Sequence, residues 1–314
     1  MFNTIETDSP GNQDAQYDSY KPIITIIIIV ICMILFISIN LNESILNTLY
    51  PSDIQIFEDK FWSVITSNFI HIEIWHIFFN LSWFWVLSKK VEYENSRIFY
   101  FIFIISSAIV SSISQIAFSS SSGIGLSGVV YALFGFLYLK GYLESKYKGF
   151  ISQKTAIIFL AWLVICIILT QLNILLIGNA AHIGGLLWGF LLAYLAQKKL
   201  TTQWVIGINS LVILTTMIFL SPFSVAWLSY KAYHLHNDQK YNDAVLLYKE
   251  ILKRDSDNLF AKENLKVLEA YQLNNRGILF YEKGDFDSSR KFFKQVLQLD
   301  STNEIAKKYL ELLK

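Results

Sequence analysis

Aspartate is absent between Lys60 and Asn237 of this 314-residue sequence, and the only glutamates in that stretch are Glu73, Glu92, Glu94 and Glu144. The gap rules out an aspartyl dyad there and leaves little carboxylate for a three-membered catalytic set. Charge is scarce overall. Only 16% of residues are charged against 54% hydrophobic, and mean hydropathy is +0.41, so an ordinary soluble domain is excluded for most of the chain. The net charge of +1 carries no basic face for nucleic acid. There are two cysteines, Cys32 and Cys166, both inside apolar runs where a thiol behaves as a small hydrophobe, so no structural disulfide is expected. A His-Glu-x-x-His pattern is missing too, which removes the ligand set of a zinc protease. No cofactor is called for.

What the chain has instead is long apolar segments with few interruptions. Residues 1–20 are polar and mildly acidic and are expected to be a disordered tail. Pro22 to Ile39 is an apolar run of spanning length, without the basic flank or small-residue cleavage site of a signal peptide. Asn40 to Trp75 is too polar to cross and suits the membrane interface. Further spans are expected at His76 to Leu87, Arg97 to Phe118, Ser127 to Leu139, Thr155 to Leu172, Ala180 to Ala196 and Gln203 to Leu220, seven in all. Lys89, Lys90, Arg97, Lys140, Lys146, Lys148, Lys154, Lys198 and Lys199 gather on alternate connections. The loops Ser119 to Leu126 and Asn173 to Asn179 have no charge. Basic residues favour the cytoplasmic side, so the amino terminus is expected inside and the carboxyl terminus outside.

After Ser221-Pro222 the pattern becomes amphipathic and charge-laced, and an internal repeat emerges. Residues 240–252 align with 285–297, and the register continues through Asp255 with Asp300, Asn258 with Asn303, Ala261 with Ala306 and Leu265 with Leu310. The spacing is 45 residues. With Gly277 and Tyr281, this resembles tetratricopeptide repeats, whose usual spacing is about 34. Eleven extra residues are about three helical turns, so a longer helix keeps the apolar face in phase. The expected division is therefore a tail over 1–20, a membrane domain over 21–221 and helical repeats over 222–314, all-α throughout.

Polar groups inside the apolar region are expensive and few, and each is a functional candidate. His76 and Asn80 open one span, Ser127 and Tyr131 another, and His182 a third. In isolation, Ser127 between Gly125 and Gly128 reads first as a small residue that lets helices pack. Topology favours chemistry. The three spans run in the same direction, and Ser127 lies 13 residues before Lys140, about 20 Å at 1.5 Å per residue. In a hydrocarbon core about 30 Å thick, all three starts fall roughly 10 Å below the outer surface. One hydroxyl and one imidazole at one depth suit nucleophilic catalysis by a dyad of Ser127 and His182. The free amide of Ser127 at a helix start, with His76 and Asn80 one turn apart, can face an oxyanion. Tyr131 is placed to pack on the imidazole. A metal held by His71, His76 and His182 is disfavoured, because a spacing of five puts His71 and His76 on different helix faces.

These residues resemble the rhomboid family of intramembrane serine proteases. The resemblance is carried by His76-Ile77-Phe78-Phe79-Asn80 with Trp83 and Trp85, by Gly125-Leu126-Ser127-Gly128-Val129-Val130-Tyr131-Ala132, and by Ala181-His182-Ile183-Gly184-Gly185 with Gly189. It implies a rhomboid-like bundle with Ser127 as nucleophile, His182 as base, and His76, Asn80 and the Ser127 amide around the oxyanion. Gly185 and Gly189 then let the sixth span approach the fourth. A seventh span followed by repeats resembles bacterial rhomboids of the six-plus-one kind, which implies a bacterial cell membrane. Two departures stand out: Ser63 follows Trp62 where arginine is common, and Ala180 replaces a frequent glycine. The expected partners are the lipid bilayer, membrane-protein substrates and a protein or peptide ligand of the repeats, with no nucleic acid. A non-enzymatic alternative is a quality-control adaptor that binds spanning helices and recruits partners through the repeats.

Overall fold

A computed structural model describes residues 16–50, 53–119, 123–198, 200–220 and 224–314. The expected tail falls outside the described residues over 1–15, and residues 16–19 make a helical turn. The described chain is helical, with no strand among the described residues. It divides into two compact units, 1–224 and 225–314.

In the first unit, α1 (Ile23–Leu41) is followed by the short helices α2 (Ser44–Leu49), α3 (Asp53–Glu58) and α4 (Ser63–Thr66) and a 3-10 turn at Ser67–Phe69. The larger helices are α5 (Ile74–Glu94), α6 (Arg97–Phe118), α7 (Ser127–Leu143), α8 (Gln153–Gln171), α9 (Asn179–Leu195) and α10 (Leu200–Leu220). A helix thus occupies each of the seven apolar segments. Three of them, α1, α6 and α8, are long and apolar enough to cross a membrane, and α7 and α9 are shorter apolar helices. The core is organised around α7, which packs on α9, α5 and α6. Leu126, Val129, Ala132, Leu133, Phe136 and Leu137 are all fully buried there. By contrast α8 turns most of its apolar side chains outward, as a helix does whose solvent is lipid.

Small residues explain how α7 and α9 meet. A β-carbon on Gly185 would lie on the Gly128 carbonyl, and one on Gly189 would lie on the Ala132 carbonyl. Backbone therefore touches backbone at two successive turns, which side-chain rotation cannot relieve. Lys140 is not a free marker of the inner boundary. It is 3% exposed and paired with Glu144, which also accepts from Gln197 at 2.5 Å.

Glu92, near the end of α5, has a structural duty. Its carboxylate is 1% exposed and accepts from the Ile24 and Thr25 amides at 3.0 Å each and from the Thr25 hydroxyl at 2.7 Å. A carboxylate there satisfies first-turn amides that α1 leaves open and complements the positive end of its dipole. Beside it, Tyr17 and Tyr20 pack edge-on against Tyr93, and the Lys89 and Lys90 ammonium groups lie over the Tyr17 ring.

The second unit runs through α11 (Val225–Asn237), α12 (Tyr241–Arg254), α13 (Leu259–Glu282), α14 (Phe286–Leu299) and α15 (Glu304–Leu312), each packed on the next. The 45-residue offset relates positions that do the same work. Ala244 and Ser289, Tyr248 and Phe293, Ile251 and Val296, and Ala261 and Ala306 are all buried. Asn258 caps α13 by accepting from the Ala261 amide at 3.0 Å, and Asn303 caps α15 from Ala306 at 3.1 Å. At the same offset, the short α15 corresponds to the opening of α13. In the first of the two repeats that segment runs on without a break into the next, giving the 24 residues of α13.

Candidate functional site

The site is built where an irregular segment enters α7. Gly125 has φ +96°, which a residue with a side chain rarely adopts. Space forbids a side chain as well, since a β-carbon there would sit 2.5 Å from His76 Nε2. The segment is held from below. The Gly125 amide donates to the Ser67 carbonyl at 3.1 Å, and the Leu126 amide donates to His71 Nε2 at 3.3 Å. His71 Nδ1 lies 3.3 Å from the Phe69 carbonyl, so one neutral tautomer, protonated on Nδ1, satisfies both bonds. His71 precedes α5 instead of lying on it, and its ring meets that of His76 edge-on with centroids 4.9 Å apart. The expectation of different helix faces therefore does not hold, because the chain is not helical at His71. Among the described residues, no three His, Cys, Asp or Glu side chains gather as a metal site.

Ser127 is the first residue of α7, and no side chain caps the helix at Leu126. With the Leu126 amide committed to His71, the Ser127 amide opens the helix, where the macrodipole is positive. His182, on the first turn of α9, is 4% exposed, and its Nε2 lies 2.7 Å from Ser127 Oγ. Tyr131, one turn below Ser127, stacks on the imidazole at 4.8 Å and 28°, and its hydroxyl donates to the Phe159 carbonyl of α8 at 3.0 Å. That hydroxyl bond fixes the ring that in turn packs on the imidazole. Asn80 is buried and donates from Nδ2 to the His76 carbonyl within its own helix at 3.0 Å. His76 and Asn80 thus share one face of α5, and His76 lies directly beneath the segment that precedes Ser127.

Gln115 of α6 also reaches this region. Its Oε1 accepts from the Ala181 amide at 3.1 Å, which pins the start of α9. Its side chain also packs against Gly123 and Gly178. Polar atoms buried in an apolar run were the available signal, and Gln115 qualified on that ground. The interfacial loop at Ser63 is anchored by a neighbour: Asn68 Nδ2 donates to Ser112 Oγ at 2.9 Å and lies 3.4 Å from the Ala108 carbonyl, both on α6. The hydroxyls of Ser63, Ser67, Ser107 and Ser111 are buried without a hydrogen-bond partner among the described residues, and Ser111 lies against Gly128 and Gly185. Such groups are natural partners of ordered water.

Three helix starts thus converge on one hydroxyl and one imidazole. Residues 58–199 match the rhomboid domain. The match spans α5 to α9 and every residue just placed around Ser127. It supports the rhomboid family, whose members are intramembrane serine proteases. A rhomboid domain together with the apolar helices makes this an integral membrane protein.

Proposed function

We propose that the chain is an intramembrane serine endopeptidase that cleaves spanning segments of other membrane proteins through Ser127 and His182. The observation that carries the reading is the 2.7 Å approach of His182 Nε2 to Ser127 Oγ inside a bundle of apolar helices. Ser127 Oγ attacks the scissile carbonyl carbon as its proton passes to His182 Nε2, and the carbonyl π pair moves to oxygen. The Ser127 amide, the Asn80 amide group and His76 stabilise that oxyanion. His182 then returns the proton to the departing amine, and water repeats the sequence on the acyl-enzyme. Supporting roles fall to Tyr131, which holds the imidazole in place of a carboxylate, to Gly125 and Gly128, and to Gly185 and Gly189, which set the α7 to α9 distance. Helix-destabilising residues near the scissile bond suit a substrate, because a hydrogen-bonded helix hides its carbonyls.

The basic residues of alternate loops support seven spans with the amino terminus in the cytoplasm, and the resemblance to six-plus-one rhomboids supports a bacterial cell membrane. Residues 222–314 then form an external tetratricopeptide-like domain, a reading supported by the paired caps and paired buried positions at the 45-residue offset. Protease added to intact cells digests this domain; full protection overturns the seven-span count. An adaptor without catalysis has no use for the Ser127 to His182 bond. Ser127→Ala should abolish cleavage of a model spanning substrate, and full cleavage by that variant refutes the enzyme reading.

A further inference from the structure

Two buried polar atoms beside the nucleophile lack a hydrogen-bond partner among the described residues, and both belong to α9. They are His182 Nδ1 and Asn179 Oδ1, which are not bonded to each other in this structure. Their residues are three apart at the start of the helix, where such side chains are neighbours.

The surrounding bonds fix which of these atoms donates and which accepts. Ser127 can give up its proton only to an unprotonated Nε2, so neutral His182 carries its hydrogen on Nδ1, and that hydrogen is a buried donor. On the other residue, the Thr170 hydroxyl donates to the Cys166 carbonyl at 2.9 Å, so its oxygen is left as an acceptor. Asn179 Nδ2 lies 2.8 Å from that oxygen and 3.5 Å from the Cys166 carbonyl. The amide nitrogen is therefore turned to α8, and the amide oxygen is the buried acceptor. Tyr131 stacks on the face of the His182 imidazole, and its hydroxyl bond to the Phe159 carbonyl ties that stack to α8, the helix that also holds Asn179 Nδ2.

We propose that Asn179 is a positioning residue for His182: its Oδ1 accepts the Nδ1–H bond as the imidazolium forms, and its bond to Thr170 fastens that acceptor to α8. This rests on the serine protease reading. In the acylation step the Ser127 proton moves to Nε2, the Oγ to carbon bond forms, and Asn179 gains and loses no proton. Its contribution is an oriented dipole where a catalytic triad has a carboxylate. Nothing charged competes at this place. Tyr131 from α7 stacks on His182 and His76 from α5 lies close enough for its charge to act on it; around the same start of α9, Cys166 and Thr170 from α8 bond Asn179, Gln115 from α6 bonds the Ala181 amide, and Ser111 and Ser114 from α6 lie against Gly185 and Gly184, while α10 carries no titratable residue.

The test is the pH profile of kcat and KM for cleavage of a spanning substrate by the full chain and its Asn179 variants. Asn179→Ala should lower kcat roughly tenfold to a hundredfold, the worth of a hydrogen bond to a charged group, with KM unchanged. Asn179→Asp, which restores an acceptor and adds negative charge, should recover most of kcat and move its acidic limb to higher pH. An Asn179→Ala profile that superimposes on wild type overturns the proposal. So does a loss confined to KM and melting temperature, with an unmoved acidic limb in Asn179→Asp, because that pattern is packing alone. Ser127→Ala, run alongside, separates the two readings. Full cleavage by that variant overturns both, whereas an inactive Ser127→Ala beside an unaltered Asn179→Ala overturns only this one.

Discussion

Replacing Glu92 by alanine should be among the most damaging changes in the membrane unit, although Glu92 touches none of the reacting groups. Its carboxylate is the acceptor for two amides and one hydroxyl at the start of α1. The Thr25 hydroxyl keeps a second partner in the Tyr100 hydroxyl at 2.9 Å, so it loses least. The two amides lose their acceptor in a region closed to water. At about 1–3 kcal/mol for each unmet buried group, the loss centres on about 4 kcal/mol. For a unit of this size that is roughly 8–16 °C in melting temperature. Glu92→Gln keeps one acceptor oxygen but turns an NH2 toward a donor, so about half of the loss is expected. Thermal unfolding of the purified full chain in one detergent, followed by aggregation or by intrinsic tryptophan fluorescence, measures both variants. A Glu92→Ala melting point within 2 °C of wild type refutes the reasoning, as does a glutamine variant less stable than the alanine variant.

Gly189→Ala places a β-carbon on the Ala132 carbonyl and forces α9 from α7. Because a misplacement of about 1 Å is worth on the order of a hundredfold in rate, cleavage should fall at least tenfold. Gly207→Ala, which meets nothing nearer than 3.9 Å, should cleave as wild type does. His71→Phe leaves the Leu126 amide without an acceptor, so the segment before Ser127 loosens and cleavage drops several-fold; His71→Asn, which offers an acceptor, should retain more activity. In the second unit, bonds from Ser288 and Thr302 hold the Asp285 and Asp300 carboxyls below the ordinary value of 3.8. Stability from these depressed groups is complete above that value and fades as pH falls below it. Circular dichroism melts should therefore be flat from pH 7 to 5 and weaken below about pH 4, an effect reduced in Asp285→Asn/Asp300→Asn, where Glu250, held down by Arg254 and Lys253, remains.

Much of this arrangement was legible in the sequence, because a membrane interior makes polar residues scarce and therefore conspicuous. Ser127, His182, His76, Asn80 and Tyr131 stand out on that ground alone, and the periodic apolar runs mark the helices that carry them. The supporting bonds were not legible. His71 sits in extended chain, where helical spacing has no meaning, and its role depends on a backbone amide 55 residues away. The duty of Glu92 depends on a helix start 67 residues distant. Gln115 and Asn179 are single amides whose partners are backbone groups and one hydroxyl on other helices. In the repeat unit, the 45-residue period was readable from paired residues. That the segment following the first repeat runs on without a break into the next as α13 depends on packing that periodicity does not encode.

The most direct measurement is covalent labelling of the full chain in membranes with a serine-directed phosphonate probe, with the modified residue mapped by mass spectrometry. The expected result is a single adduct on Ser127 in the wild type, lost in His182→Ala because the hydroxyl then has no base. Labelling of Ser127 at the wild-type rate in His182→Ala, or an adduct on another serine with Ser127 unmodified, contradicts a Ser127–His182 dyad.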